Sequence, residues 1–585
     1  MRIVVFLLRP HLALALLGAG PLQSQNQPAA TQARFDVVVT GGRIMDGTGN
    51  PWILADVAIR DGRIVALGRL DGARGARVLD AKGKLVVPGF IDVHNHADDD
   101  VDPAGTLRDP NARRRAAPNV VMQGVTTVVV NPDGRSPGRI ADQQTSMVQK
   151  GIGPNAVLMI GHNSVRSAVL GPDYRRLATP DEIRRMRILV RQGIEEGALG
   201  LSAGLEYVPG RWSNTEELVA LMEEVAPLGG IYIAHERSEA MAPMWWKPTR
   251  DASGPPTLLD AVRETIEIGE RTGAVVVASH LKSRGASYWG SSHAAINLIE
   301  RARARGVQIY ADHYPYTTSG SDGSVVLVPD WAIGYAQWDA GPRSTGGSPD
   351  YAATLRRTLA DPVKGADAKR DIAFEIEFRG GPENIVVFES RDTTQIGKSL
   401  AALAEARGKT AVEMAIVLQI EGFPHRPGGA RLRSFSMSEA DIEAFAKPSW
   451  MATASDGGLA LPPDGPTVHA RYYGTFPRKI RRYALDRGVI SLEHAIRSMT
   501  SLPAQILGLR DRGTLREGAA ADIAILDLDR LTDKATFTNP HQYAEGVDYV
   551  LVNGQLVVDG GQPTWKLPGT VLRKPVRPGS GKAIP

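Results

Sequence analysis

The chain has 585 residues, of which 43% are hydrophobic and 23% charged, so it can bury a large core and has the charge content of an ordinary globular protein. A formal net charge of +4 with no long Lys/Arg run describes a solvated surface and no nucleic-acid partner. With no cysteine anywhere, disulfides, a thiolate nucleophile, thiolate metal ligands and lipid attachment at a cysteine are all excluded.

At the start, Arg2 and Arg9 flank an apolar stretch over 3–8, and a second apolar run covers 12–17. The small residues Gly18, Ala19 and Gly20 follow, then a polar stretch over 23–31. This is the pattern of a signal peptide within residues 1–25, cleaved near 19–25. It predicts a periplasmic or secreted protein. The apolar stretch is short and broken at Pro10, so no stable membrane insertion is expected.

Residues 35–85 read as short strands, with a hairpin signal at Asp61-Gly62. A second β-rich block over 509–570 carries the same signal at Asn553-Gly554, and 571–585 reads as a tail. The two blocks are expected to form one small β-sandwich. Between them, over 86–508, short apolar runs alternate with helical patterns. Strand ends fall at 91–94, 128–130, 157–160, 199–203, 231–234, 275–278, 309–311 and 450–454, and helices are predicted over 180–196, 215–228, 258–272 and 293–305. Eight such repeats predict an α/β protein, a (β/α)8 TIM-like barrel. An insertion with Gly/Pro/Ser-rich stretches lies at about 320–448.

Barrel chemistry sits where strands end. His94 and His96 follow the first run, Asp133 the second, His162 the third and Glu206 the fourth. His235 and His280 end the fifth and sixth, Asp312 and His313 the seventh, and Asp456 the eighth. The chain has only 12 histidines, and chance placement does not gather so many at one kind of position. In His94-Asn95-His96 both imidazoles face one side of an extended chain and can share a metal. Histidine and carboxylate without cysteine suit zinc, as one or two ions, with manganese, iron and cobalt as alternatives. Such a metal activates water, whose proton needs an acceptor, and Asp456 is the natural general base. The bland reading of Asp456 is a helix cap or a turn with Gly457; that of the histidines is a hydrogen-bonded polar cavity.

The segments GKLVVPGFIDVHNHAD, GALGLSAGLEYVPG, YIAHERSE, ASHLK, DHYPYTTSGSDG, ASDGG and HARYYGTFPR resemble the N-acyl-D-amino-acid deacylase (D-aminoacylase) family of the metal-dependent amidohydrolase superfamily. The likeness runs over roughly 35–570. It implies a metal centre held by His94, His96, His235 and His280, with Asp456 as base and Lys282, Tyr316 and Arg471 as substrate contacts. Arg471 follows His469-Ala470 where the family has histidine-proline. Many members carry a metal-bridging cysteine after the second strand, where this chain reads Val130-Asn131-Pro132-Asp133-Gly134. Asp133 or Glu206 must then bridge, with Glu206 preferred because related barrels place their bridge after strand four. The implied reaction is hydrolysis of N-acyl-D-amino acids, small substrates with a free carboxylate. Another amidase or dipeptidase on the same barrel, or a barrel that only binds ligands, are the alternatives.

Overall fold

The computed structural model describes residues 35–98, 102–320, 325–335 and 349–573. The expected leader and most of the expected tail lie outside these residues. Among the described residues no helix is long and apolar enough to cross a membrane.

Eight parallel strand segments carry the middle of the chain: β1 (Phe90–Asp92), β2 (Val125–Val130), β3 (Asn155–Leu158, resumed at Ile160–Gly161), β4 (Gly200–Gly204), β5 (Ile231–His235), β6 (Val275–Ala278), β7 (Ile309–His313) and β8 (Met451–Thr453). Each pairs in parallel with its neighbour in chain order from β1 to β8. After β8 the order returns to its start through an Asn95–Gly457 bridge, with Asp456 N–H donating to the His94 carbonyl at 3.0 Å. Most of these strands are short apolar runs such as VTTVVV and VVVA, nearly all buried. That is the composition of parallel strands covered on both faces.

The covering helices α1 (Pro180–Glu195), α2 (Thr215–Val225), α3 (Leu258–Thr272) and α4 (Ser292–Ala304) lie where the sequence periodicity places them. Thr179 with Glu182, and Thr257 with Asp260, close capping boxes that satisfy the free N–H groups of α1 and α3. Gly273 ends α3 in the left-handed conformation.

Both ends of the chain meet in one nine-stranded sheet. Leu85–Pro88 from the N-terminal block pairs antiparallel with Ile523–Leu526 from the C-terminal block. Both expected hairpins are there. Ile53–Arg60 turns into Arg63–Gly68 across Asp61-Gly62, and Val547–Val552 turns into Gln555–Asp559 across Asn553-Gly554, all four turn residues at positive φ. The sheet curls until Ile64 N–H reaches the Ala519 carbonyl at 2.9 Å, and it encloses a core that includes Val39, Val57, Ile523 and Leu551. The tail reading needs correction at its start: Val571–Leu572 pairs in parallel with Ala156–Val157 of β3.

The stretch between β7 and β8 is more than loops. It holds helices Tyr351–Ala360, Pro362–Phe378 and Ala411–Glu421, a two-stranded ribbon of Ile385–Glu389 and Arg431–Ser434, and an apolar cluster of its own around Leu355, Ile372 and Leu432.

Candidate metal centre and substrate cavity

The C-terminal ends of the parallel strands bring six of the expected residues together. Asp133 is central. Its Oδ1 lies 3.3 Å from His94 Nε2, 3.8 Å from His235 Nδ1 and 3.6 Å from His280 Nε2, and its Oδ2 lies 3.6 Å from His96 Nε2. Asp456 Oδ1 stands 3.1 Å from His96 Nε2 and 3.7 Å from His94 Nε2. Apart from the partly exposed His96, all are buried.

Three of the four imidazoles are turned by a partner on the other nitrogen. His94 Nδ1 meets Ser279 Oγ at 2.7 Å, and that hydroxyl donates to Asp312 Oδ2 at 2.8 Å. His235 Nε2 meets Glu206 Oε2 at 3.0 Å. His280 Nδ1 lies 3.0 Å from Glu239 Oε1 and 2.8 Å from Lys282 Nζ. The nitrogens left over all point at Asp133. Such outer partners are what orient metal-binding histidines. Asn95, between the two histidines, is held away by Asp92 and Ser455.

His94 Nε2 and Asp133 Oδ1 are buried with no hydrogen-bond partner. Orphaned polar atoms of this kind, converging from nitrogen and carboxylate donors, fit a divalent cation of the zinc type. Three overlapping triads of these groups have ligand atoms within 4.8 Å of one another. The electrostatics agree. Burial holds the His94 imidazole well below its usual range, so it is neutral and ready to donate a lone pair. His280 behaves differently: burial and Lys282 act to lower it, yet Asp456, Asp133 and Glu239 lift it to about 10. The carboxylates here stabilise a positive charge. Asp456 is ionised, because Arg471 and His280 outweigh the burial that would raise it.

Two expected placements are corrected. Glu206 does not stand at the centre of the four histidines, although with His235 and Glu239 it forms a further group whose ligand atoms lie within 4.8 Å of one another. It sits behind His235, bonded to that ring and 3.3 Å from Arg284 Nη2, so Asp133 takes the central position. Tyr316 does not line the cavity. It packs on His469 with ring centroids 5.4 Å apart, under Arg478, and its hydroxyl reaches the Ala470 carbonyl at 3.4 Å. Tyr314 lines the cavity instead. His162 is bonded to Glu217 at 2.8 Å and is not among the converging groups, and Asp312 stands behind the cluster, accepting from the His280 backbone N–H at 2.7 Å.

Lys282 and Arg471 stand beside the cluster. They line a cavity of about 150 Å3 with His96, Asp133, Arg284 and Tyr314. Arg471 Nη1 lies 2.9 Å from Asp456 Oδ2, and its N–H donates to His469 Nδ1 at 2.9 Å. Glu239, Ser279 and Arg284 were not singled out from sequence. Glu239 had a signal, four residues after His235 inside YIAHERSE; Ser279 had one only in preceding His280.

A model of the amidohydrolase family (Amidohydro_3) matches residues 77–224 and 378–558. The N-acyl-D-glutamate deacylase of Alcaligenes xylosoxydans xylosoxydans is 31% identical over 568 residues, covering 93% of this chain and 97% of that protein. The D-aminoacylase of the same organism is 31% identical over 575 residues, covering 94% and 99%. The crystal structure of N-acyl-D-glutamate deacylase from Bordetella bronchiseptica, complexed with zinc and a phosphonate inhibitor that mimics the tetrahedral intermediate, superposes with a TM-score of 0.70 at 29% identity, covering 93% and 100%. The chain belongs to the amidohydrolase family, in the group that holds the N-acyl-D-amino-acid deacylases.

Proposed function

We propose that this protein is a zinc-dependent deacylase that hydrolyses the amide bond of N-acyl-D-amino acids, giving a carboxylate and a D-amino acid. The observation that carries the reading is the convergence of four imidazole nitrogens on Asp133, with Asp456 and the cations Lys282 and Arg471 beside them in one cavity. His94, His96, His235, His280 and Asp133 would hold the metal, with Asp133 at the centre of the histidines. Bound zinc supplies polarisation of the amide carbonyl and a water whose pKa falls to about 7.

Asp456 takes the water's proton and returns it to the departing amine nitrogen, so one carboxylate serves both halves of the reaction. Its pairing with Arg471 restrains it as a base. A substrate carboxylate that competes for the guanidinium relieves that restraint and is gripped in the same act. Lys282 offers a second cation to the same carboxylate. A cyclic amide without a carboxylate has nothing to give these groups.

We read the closed parallel order of strands as a (β/α)8 barrel and the curled terminal sheet as a small sandwich. We read residues 1–25 as an export signal, on the charged, apolar, then small-residue order, so the mature protein is periplasmic or secreted. N-terminal sequencing of exported protein should return a start near 19–25. The reaction is tested by supplying zinc-loaded protein with N-acetyl-D- and N-acetyl-L-amino acids, D-dipeptides and hydantoins. Release of acetate from the D series is expected; turnover confined to hydantoins or the L series would overturn the reading.

A further inference from the structure

A second cavity, of about 580 Å3, lies on the helix side of β3 and shares no lining residue with the one at the strand ends. Two helices face each other across it. Ser164, Ser167 and Ala168 stand three and four residues apart on helix His162–Leu170, and Leu189, Gln192 and Gly193 repeat that spacing on α1, with Glu196 at its end. Residues so spaced share one helix face, and on the first helix that face is made of small side chains. Gly193 lets α1 close on β3, since a Cβ there would lie 3.0 Å from Ile160, which floors the hollow. A Cβ on Gly138, at the rim, would meet nothing within 4 Å. Small residues thus leave open a space that larger ones would fill.

Ile140, Ile160, Val165, Leu189, Val208 and Pro209 give the hollow an apolar wall. Its volume falls in the range of small-molecule sites, roughly 300–1,000 Å3. Three charged residues line it. Arg139 Nε donates to Glu196 Oε1 at 2.9 Å, and Glu196 also accepts from the Ala141 N–H at 3.0 Å and from the Gln192 amide at 2.8 Å. Asp142 acts on Arg139 as well. Arg135 is exposed at the mouth, and among the described residues its side chain has neither a hydrogen-bond partner nor an ion pair. The wall is also the back of the turn that carries Asp133. Ser164 N–H donates to the Gly134 carbonyl at 3.0 Å and Ser136 N–H to Ser164 Oγ at 2.9 Å, and Asn163 holds Gly204 through both of its amide atoms, at 2.9 and 3.2 Å.

We propose that this hollow is a binding site for an alkyl carboxylate, with the chain between the two helices and the carboxylate on Arg135, and that its occupancy restrains the turn that carries Asp133. The site stands independently of the reaction proposed above. An alkyl chain placed there takes its own apolar surface and that of the wall out of water. A carboxylate head gives the unpaired guanidinium a charge-assisted, two-point contact, which sets the orientation. A neutral amphiphile keeps the first gain and loses the second.

Calorimetry on the full chain compares octanoate with octanol. Octanoate should bind about 10-fold more tightly, one hydrogen bond to a charged group being the difference. Arg135→Gln should remove that preference. Ala168→Phe, which fills the hollow from an exposed helix position, should remove the binding of both. Octanoate binding that survives Ala168→Phe in full places the ligand elsewhere, the strand-end cavity included, and overturns the proposal; so does equal affinity for octanol. Hydrogen exchange needs no variant. Octanoate should slow exchange over 131–139, 162–170 and 189–196 of the wild-type chain, and exchange over 131–139 left unchanged overturns the restraint on the turn. Protection of these segments that follows protein concentration and not octanoate assigns the hollow to a second copy of the chain and overturns the ligand reading.

Discussion

Asp133, His280 and Asp456 share a backbone conformation that most residues avoid, with φ of 55°, 37° and 49°. Each costs on the order of 1–3 kcal/mol and persists only where the surroundings enforce it. All three aim side chains at one point, and their chemistry should separate on mutation. Asp456→Asn keeps the shape and cannot accept a proton, so kcat should fall by about 10²–10⁴ while metal analysis finds the site still loaded; a near-parental rate would make Asp456 structural. Asp133→Ala should abolish metal binding. Glu206→Gln should only weaken it, by about 10–100-fold, because it removes the group that turns His235 and not a ligand. The reverse order in equilibrium dialysis would return the bridge to Glu206.

A different residue also makes stability depend on pH. Lys479 is buried against Thr453 and His313, and burial lowers its pKa from 10.5 to about 7. Between those values the unfolded chain binds at Lys479 a proton that the folded chain does not, so this residue's contribution to stability rises with pH across that window, while that of His280, lifted from 6.5 to about 10, falls across it. Lys479→Met should remove the rising contribution, so that stability falls more steeply with pH in denaturant titrations at pH values spanning the window. An unchanged slope would mean the lysine stays charged in the folded protein.

At the scale of elements, the placement of Asp133 depends on close packing of the turn after β2 against β3 and β4. Gly134 has a φ of 75°, and a Cβ there would lie 2.3 Å from Asn163 Oδ1. A Cβ on Gly204, at the end of β4, would lie 2.2 Å from the carbonyl oxygen of Asp133 itself. Both contacts are below any real separation, so neither glycine tolerates a side chain without moving the turn. Gly204→Ala should shift Asp133 by enough to cost about 10²-fold in activity, with circular dichroism unchanged, since misplacement near 1 Å has that effect. Full activity in this variant would show that the turn yields freely.

At the scale of the molecule, Asp522 links the terminal sheet to the parallel strands. Its carboxylate takes the Asn155 side chain of β3 at 3.0 Å and the Asn553 N–H at 2.7 Å, and it pairs with Arg512; its carbonyl accepts from Gly89 N–H at 2.8 Å. Removing one partner of a buried ion pair strands the other. Asp522→Ala should therefore destabilise the chain by about 3–5 kcal/mol, read as a lower denaturant midpoint. A loss below about 1 kcal/mol, the range of surface pairs, would show that water reaches Arg512.

Much of this was legible along the chain because its signals are local. Strand periodicity, capping boxes such as Thr179 with Glu182, and the Asp61-Gly62 and Asn553-Gly554 turns depend on residues a few positions apart. The histidines of the cluster could be found for the same reason: each lies at or just beyond a strand end, and strand ends are written in the apolar runs. Which carboxylate occupies the centre was not legible. Asp133 and Glu206 both follow strands, and only the packing of Gly134 and Gly204 turns one inward, while Arg284 and His235 hold the other behind. Tyr314 and Tyr316 are two apart, and which of them faces the cavity depends on a backbone that has left β7 at His313. Arg379 also lines that cavity, from the stretch between β7 and β8, which carries no strand-end signal at all. Orientation at such points is set by contacts between segments far apart in the chain, and these come into being only when the tertiary structure packs.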